Sequence, residues 1–225
     1  MNNTRKRRAP WYRTPVDRTT LKRLVQTNDR TGLVYLGGFV VALGFFGYLA
    51  FLSIDTLWSI PAFLVYGGVW VFATSIVHET CHGTAFRSRW LNEAVLFLAG
   101  VLVQQTPTGL RWTHVRHHNH TGMVEKDVEL VLTNPLSWRG FLWGQLCDVN
   151  SIFYYVKLVL LLSIGKPDQE HRDCLSQTAL RRACWEARAF LLVYTLVILW
   201  STLLQTWWPI LIFLFPGSPV RQYTA

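Results

Sequence analysis

The sequence predicts an all-α integral membrane protein: about four transmembrane helices in two hairpins, with interfacial helices and a histidine-rich cytoplasmic cap. Three observations predict it. Gly32 to Ile54 and Leu57 to Val77 contain no charged residue and are separated only by Asp55 and Thr56, and Ala189 to Pro216 is a further uncharged run. Six of the seven histidines fall between His78 and His120. At a rise of about 1.5 Å per residue, each of the first two runs reaches about 30 Å, the thickness of the hydrocarbon core.

The elements follow in order. Residues 1–30 form a basic segment too long for the n-region of a signal peptide, so they are expected to stay in the cytoplasm as a retained anchor, ahead of a membrane domain over 31–225. The first run then exits near Asp55, the tight turn starts the second, and Val77 returns the chain to the cytoplasmic side. Leu91 to Leu110 is interrupted by Glu93, Gln104, Gln105 and Pro107, the mark of a re-entrant or interfacial segment. Arg111 to Trp138 is polar and continues on the side where His78 emerges. Phe141 to Ile164 mixes aromatic and aliphatic residues with Asp148 and Lys157, which suits a helix lying in the interface. Ala189 to Pro216 exceeds one span, and Trp207, Trp208 and Pro209 mark the turn of a second hairpin whose return ends near Pro216 to Arg221.

Charge and cysteine usage narrow the class. The formal charge of +9 is concentrated beside the spans, where the positive-inside rule accounts for it, so anionic lipid headgroups are the expected partner and nucleic acid is not. Cys81, Cys147, Cys174 and Cys184 show no paired spacing and read as reduced structural thiols.

The histidines carry the chemistry. His78 and His82 are four apart, one turn along a helix that runs on past Val77, so both stand on one face as two ligands of one metal must. His114 shares a face with both His117 and His118, and those two neighbours diverge by about 100° and so address different positions. His78, His82, His114, His117 and His118 are the expected metal ligands, whereas His120 and His171 read as solvated interfacial side chains. Imidazole suits iron, zinc, copper and nickel alike, so spacing names a metal site but not the metal. His78-Glu79-Thr80-Cys81-His82 also fits H-E-x-x-H, in which Glu79 would activate a zinc-bound water for peptide hydrolysis. Five imidazoles exceed what one zinc needs, which argues against a protease.

At these positions the chain resembles the membrane-bound fatty acid desaturases and hydroxylases, which carry an H-x-x-x-H box after a transmembrane hairpin and an H-x-x-H-H box downstream. His78 to His82 and His114 to His118 match the two boxes. The neighbouring stretches His82-Gly83-Thr84-Ala85-Phe86, Arg89-Trp90-Leu91-Asn92, Arg111-Trp112, His117-His118-Asn119-His120-Thr121 and Asp127-Val128-Glu129-Leu130 are similar to a bacterial branch, and the likeness runs from about Thr31 to the C-terminus. The resemblance implies a non-haem di-iron centre that uses O2 to remove hydrogen from an acyl methylene. It also implies an acyl or membrane-lipid substrate and an electron donor such as ferredoxin, rubredoxin or cytochrome. Arg87, Arg89, Arg111 and Arg116 are candidates to dock an acidic carrier or an acyl headgroup.

The family carries a third histidine box near its C-terminus, and no histidine follows His171 here. The resemblance therefore implies a C-terminally incomplete member. Two classes follow: an iron-dependent lipid oxidoreductase completed by a second polypeptide, acting as desaturase or as lipid or carotenoid hydroxylase, or a catalytically inactive membrane protein.

Overall fold

The computed structural model describes residues 15–123, 126–127, 137–139 and 149–214, and among them it contains helices and no strand. The principal helices are α1 (Arg18–Leu24), α2 (Asp29–Leu52), α3 (Ser59–Cys81), α4 (Arg89–Val103), α5 (Pro107–His120), α6 (Val149–Ser163), α7 (Gln169–Cys174), α8 (Gln177–Leu203) and α9 (Trp208–Phe213). Short polar side chains set several starts. Asp17 accepts the Thr20 N–H at α1, Asn28 the Arg30 N–H at α2, and Ser176 the Ala179 N–H at α8.

The two expected spans appear as α2 and α3, each shifted by a few residues, with Asp55 in the left-handed region at the reversal between them. At 24 and 23 residues they extend for about 35 Å. With α8 they are the helices long and apolar enough to cross a membrane among the described residues. Their outer faces carry Val34, Val41, Phe72 and Leu192 largely exposed, among many other apolar side chains, far more apolar surface than a water-soluble protein exposes. On α2 only Gly47 and Ala50 are buried. Where a return span was expected after Trp208 the structure has the six-residue α9, too short to cross, and residues 215–221 lie outside the described residues, as does most of 124–148.

α4 is not long enough to cross, at 15 residues and about 22 Å, and it lies back along α3. Ala73, Val77 and Cys81 of α3 interlock there with Leu96, Ala99 and Val103 of α4. The chain then breaks at Gln104, in the left-handed conformation, before Pro107 opens α5. Gly100 permits this turn: a β-carbon there would lie 2.5 Å from the Gln105 carbonyl oxygen. A second core joins Leu158, Val159 and Leu162 of α6 to Ala183, Ala187 and Phe190 of α8. In a third, Tyr66 of α3 donates its hydroxyl hydrogen to the Ile212 carbonyl at 3.0 Å, tying α9 to the first hairpin beside Ala50 and Trp70. Cys81, Cys174 and Cys184 are free thiols, and Cys147 lies outside the described residues.

Candidate metal centre

α3 runs four residues beyond Val77, so His78 and His82 share a face at its end. Gly83, with φ of +71°, then terminates the helix in a conformation that glycine adopts without strain. Thr84 folds back and donates to the Glu79 carbonyl and to its carboxylate, at 3.0 and 3.1 Å. The loop reaches α4 by way of Asn92, which accepts the Phe86 N–H and donates to the Phe86 carbonyl, and of Asp29, which accepts both the N–H and the hydroxyl of Ser88.

α5 is held in place at three levels below its histidines. At its first turn the buried Glu186 of α8 accepts the Thr108 N–H at 2.8 Å and the Thr108 hydroxyl at 2.7 Å. One level up, the His171 ring of α7 lies against Gly109, where a β-carbon would come within 2.8 Å of Nε2. Next, Arg111 donates through Nε to the Cys81 carbonyl at 3.4 Å and through its terminal nitrogens to Glu93 at 3.0 and 3.4 Å. These ties fix both the height and the rotation of α5 against the end of α3. His114 and His118, one and two turns further on, therefore meet His78 and His82.

Their ring nitrogens converge on one point. One ligand atom from each of His78, His82, His114 and His118 lies within 4.8 Å of all the others. Three Nε2 atoms form a near-equilateral triangle: His114 to His82 at 3.1 Å, His118 to His82 at 3.3 Å, and His118 to His114 at 3.0 Å. A neutral imidazole Nε2 either carries a hydrogen or does not, so in any triangle at least two like atoms face each other. A cation at the centre removes that conflict by taking every lone pair. Metal–imidazole bonds of about 2.1 Å place neighbouring donors about 3.0 to 3.4 Å apart, which is the spacing found. Desolvation, then the neighbouring His114, His78 and His118, hold the His82 imidazolium below its ordinary range, favouring the neutral ring that ligation requires.

His117 is placed apart from this group. Its ring stacks on His114 at 5.7 Å, and its Nδ1 meets the buried Asp127 carboxylate at 2.7 Å, whose other oxygen accepts the Gly122 N–H. The divergence of His117 and His118 thus takes concrete form: one ring turns into the cluster and the other towards Asp127. His120 bonds through Nδ1 to the Arg116 carbonyl, outside the cluster.

Across 56–223 the sequence matches the model of the fatty acid desaturase family. The chain belongs to that family. Comparison with curated proteins and with solved structures yields no match. Family membership and the three apolar helices together identify a membrane protein. In this desaturase-family chain the four-histidine group draws two members from each histidine box, and the chemistry of the donor set fits iron.

Two contacts of the site go beyond the expected ligands. Glu79 accepts from His78 Nδ1 at 3.0 Å, and Asp127 does the same for His117, leaving Nε2 of each ring for a metal. The adjacency of His78 and Glu79 signalled the first; nothing in the sequence pairs residues 117 and 127. His171 is the correction. Expected as solvated, it is buried at 4% exposure, with Nδ1 on the Asp168 carboxylate at 2.7 Å. The same carboxylate caps α7 through the His171 N–H and accepts the Tyr154 hydroxyl. An aspartate three residues ahead of a histidine at a helix start was the available signal.

Proposed function

We propose that this protein is an iron- and O2-dependent membrane lipid oxidoreductase that introduces a double bond into an acyl chain. The observation that carries the reading is the convergence of four imidazoles at the end of α3, where an apolar helix surfaces beside a polar segment. Bound iron would supply O2 activation and the abstraction of hydrogen from an unactivated methylene. His78, His82, His114 and His118 would hold it, and His117, oriented by Asp127, is assigned to a neighbouring metal position that needs further donors. Glu79 and Asp127 keep the hydrogen of each ring on Nδ1, so that the lone pair of Nε2 faces outward. The position makes physical sense, because an acyl substrate dissolves in the bilayer and the electron donor, a ferredoxin, rubredoxin or cytochrome, arrives from the water.

The arrangement of Glu79 speaks against the H-E-x-x-H protease reading. Both of its carboxylate oxygens are engaged, one by His78 and one by Thr84, and it orients a ligand in place of activating a water. In the proposed topology the chain crosses the membrane four times, with α9 beginning the last crossing and the histidines on the cytoplasmic face. The test is expression with a reductase and a ferredoxin in a host of simple lipid composition, followed by fatty-acid methyl-ester chromatography. The reading expects new unsaturated chains, lost with His118→Ala. Hydroxylated chains in place of unsaturated ones would contradict it.

A further inference from the structure

A helix end leaves its last carbonyls without intrahelical partners, and α4 ends at Val103 between α3 and α8, two of the helices long and apolar enough to span a membrane. Those two helices supply the missing donors. Tyr194 of α8 donates its hydroxyl hydrogen to the Val101 carbonyl at 2.7 Å, and Trp70 of α3 donates its indole N–H to the Leu102 carbonyl at 3.1 Å. The Gln104 side-chain amide adds a second bond to the Leu102 carbonyl at 3.0 Å, and the Gln105 N–H reaches the Gly100 carbonyl at 3.0 Å. Three successive carbonyls are thus satisfied, two of them by side chains of other helices.

The level of this break gives the bonds their weight. Trp70 stands eleven residues, about 16 Å, from either end of α3. Tyr194 stands nine residues, about 14 Å, from Leu203, where α8 ends. Half of a hydrocarbon core is about 15 Å, so both donors meet the break near the middle of the bilayer. No water is at hand there to replace a lost partner, so each donor holds its carbonyl at one position. The link onward is short and stiff: Gln104 is in the left-handed conformation, and Pro107 opens α5 with its φ fixed. α5 is continuous from Pro107 to His120, so its foot moves as one body with His114 and His118, about two and three turns above.

We propose that Tyr194 and Trp70 are positioning residues of the metal centre: by clamping the end of α4 at mid-membrane, they set the level from which α5 carries His114 and His118 to His78 and His82. The ties to Glu186, His171 and Arg111 act on α5 itself, and the clamp acts one helix earlier. The proposal rests on the reading above in taking the four histidines as the metal site. Without the clamp the foot of α5 gains freedom, part of the metal's binding free energy goes into ordering the helix, and affinity falls.

The test is pulsed dipolar EPR on the full chain in lipid nanodiscs, free of metal, with the native cysteines replaced and nitroxides on Arg30→Cys and Asn119→Cys, both exposed positions. The parent protein is expected to give one narrow distance distribution, and Tyr194→Phe to broaden or shift it. Tyr66→Phe is the matched control, because it removes a hydroxyl bond of the same kind, to the Ile212 carbonyl at 3.0 Å, in the core that joins α3 to α9. It is expected to leave the distribution as it is. In cobalt(II) titrations of the same proteins without labels, Tyr194→Phe is expected to lower affinity about threefold or more and Tyr66→Phe to leave it unchanged. A parental distribution in Tyr194→Phe, or equal broadening in Tyr66→Phe, would overturn the proposal. Where Tyr194→Phe fails to fold, Trp70→Phe is read by the same criteria. The distances are taken without metal, so a wild-type protein that binds none removes the metal reading alone, and normal binding with unchanged distances removes the clamp alone.

Discussion

At the scale of single residues, the centre depends on carboxylates as much as on histidines. Glu79 and Asp127 each hold an Nδ1, and without that hydrogen bond the ring is free to rotate and to change tautomer. Glu79→Gln is expected to weaken iron binding at the four-histidine group by about 10- to 100-fold while the protein stays folded, measured by competition with a chromophoric chelator, whereas Asp127→Asn, which acts on a ring outside that group, is expected to leave it unchanged. Unchanged affinity in Glu79→Gln would mean that this contact does not orient a ligand. Spacing sufficed to place His78 with His82 and His114 with His118, because a helix fixes which residues share a face. It did not reveal which of the adjacent His117 and His118 turns inward, since that depends on the rotation of α5, and α5 is set by partners from 18 to 78 positions away. Nor did it reveal that His171 is buried, since the charged surroundings of Lys166 to Arg188 read as solvated.

At the scale of elements, α5 is a short polar helix whose placement comes from other helices. Its sequence has no apolar face to direct its packing; Glu186, His171 and Arg111 hold it in place instead. Gly109→Ala is expected to push the His171 ring and the Thr106 hydroxyl away, costing about 1–3 kcal/mol of stability and lowering iron retention, read by thermal unfolding and metal content together. A variant as stable and as metal-replete as the wild type would show that this contact is not tight. The α7 anchor also carries a pH signature. Burial alone would raise the Asp168 carboxyl, but hydrogen bonds from the His171 ring and backbone, the His171 charge and the Tyr154 hydroxyl hold it below its ordinary value of 3.8. A depressed carboxylate stabilises the fold fully above its unfolded value and loses that contribution as pH falls through the lower, folded one. Between pH 5 and pH 3 the wild type should therefore lose more thermal stability than Asp168→Asn, and parallel curves would count against the anchor.

At the scale of the whole molecule, the hydropathy pattern foretold α2, α3 and α8 because uncharged runs of such length have few other solutions. The mixed segments were less legible. Leu91 to Leu110 proved to be two helices with a glycine-dependent turn between them, and α4 packs along α3 because Leu96, Ala99 and Val103 fit its inner face. The proposed topology makes a direct prediction. In a background with the native cysteines replaced, Lys166→Cys in intact cells should resist a membrane-impermeant thiol reagent and react once the membrane is permeabilised. Labelling before permeabilisation would move the histidines to the other face. The central claim is that His78, His82, His114 and His118 hold one iron, and the most direct measurement is elemental analysis of protein reconstituted with ferrous iron and freed of excess metal. Wild-type protein and His120→Ala are expected to retain iron alike, and His82→Ala with His114→Ala to lose most of it while remaining folded. Retention by that double variant at the wild-type level would contradict the account.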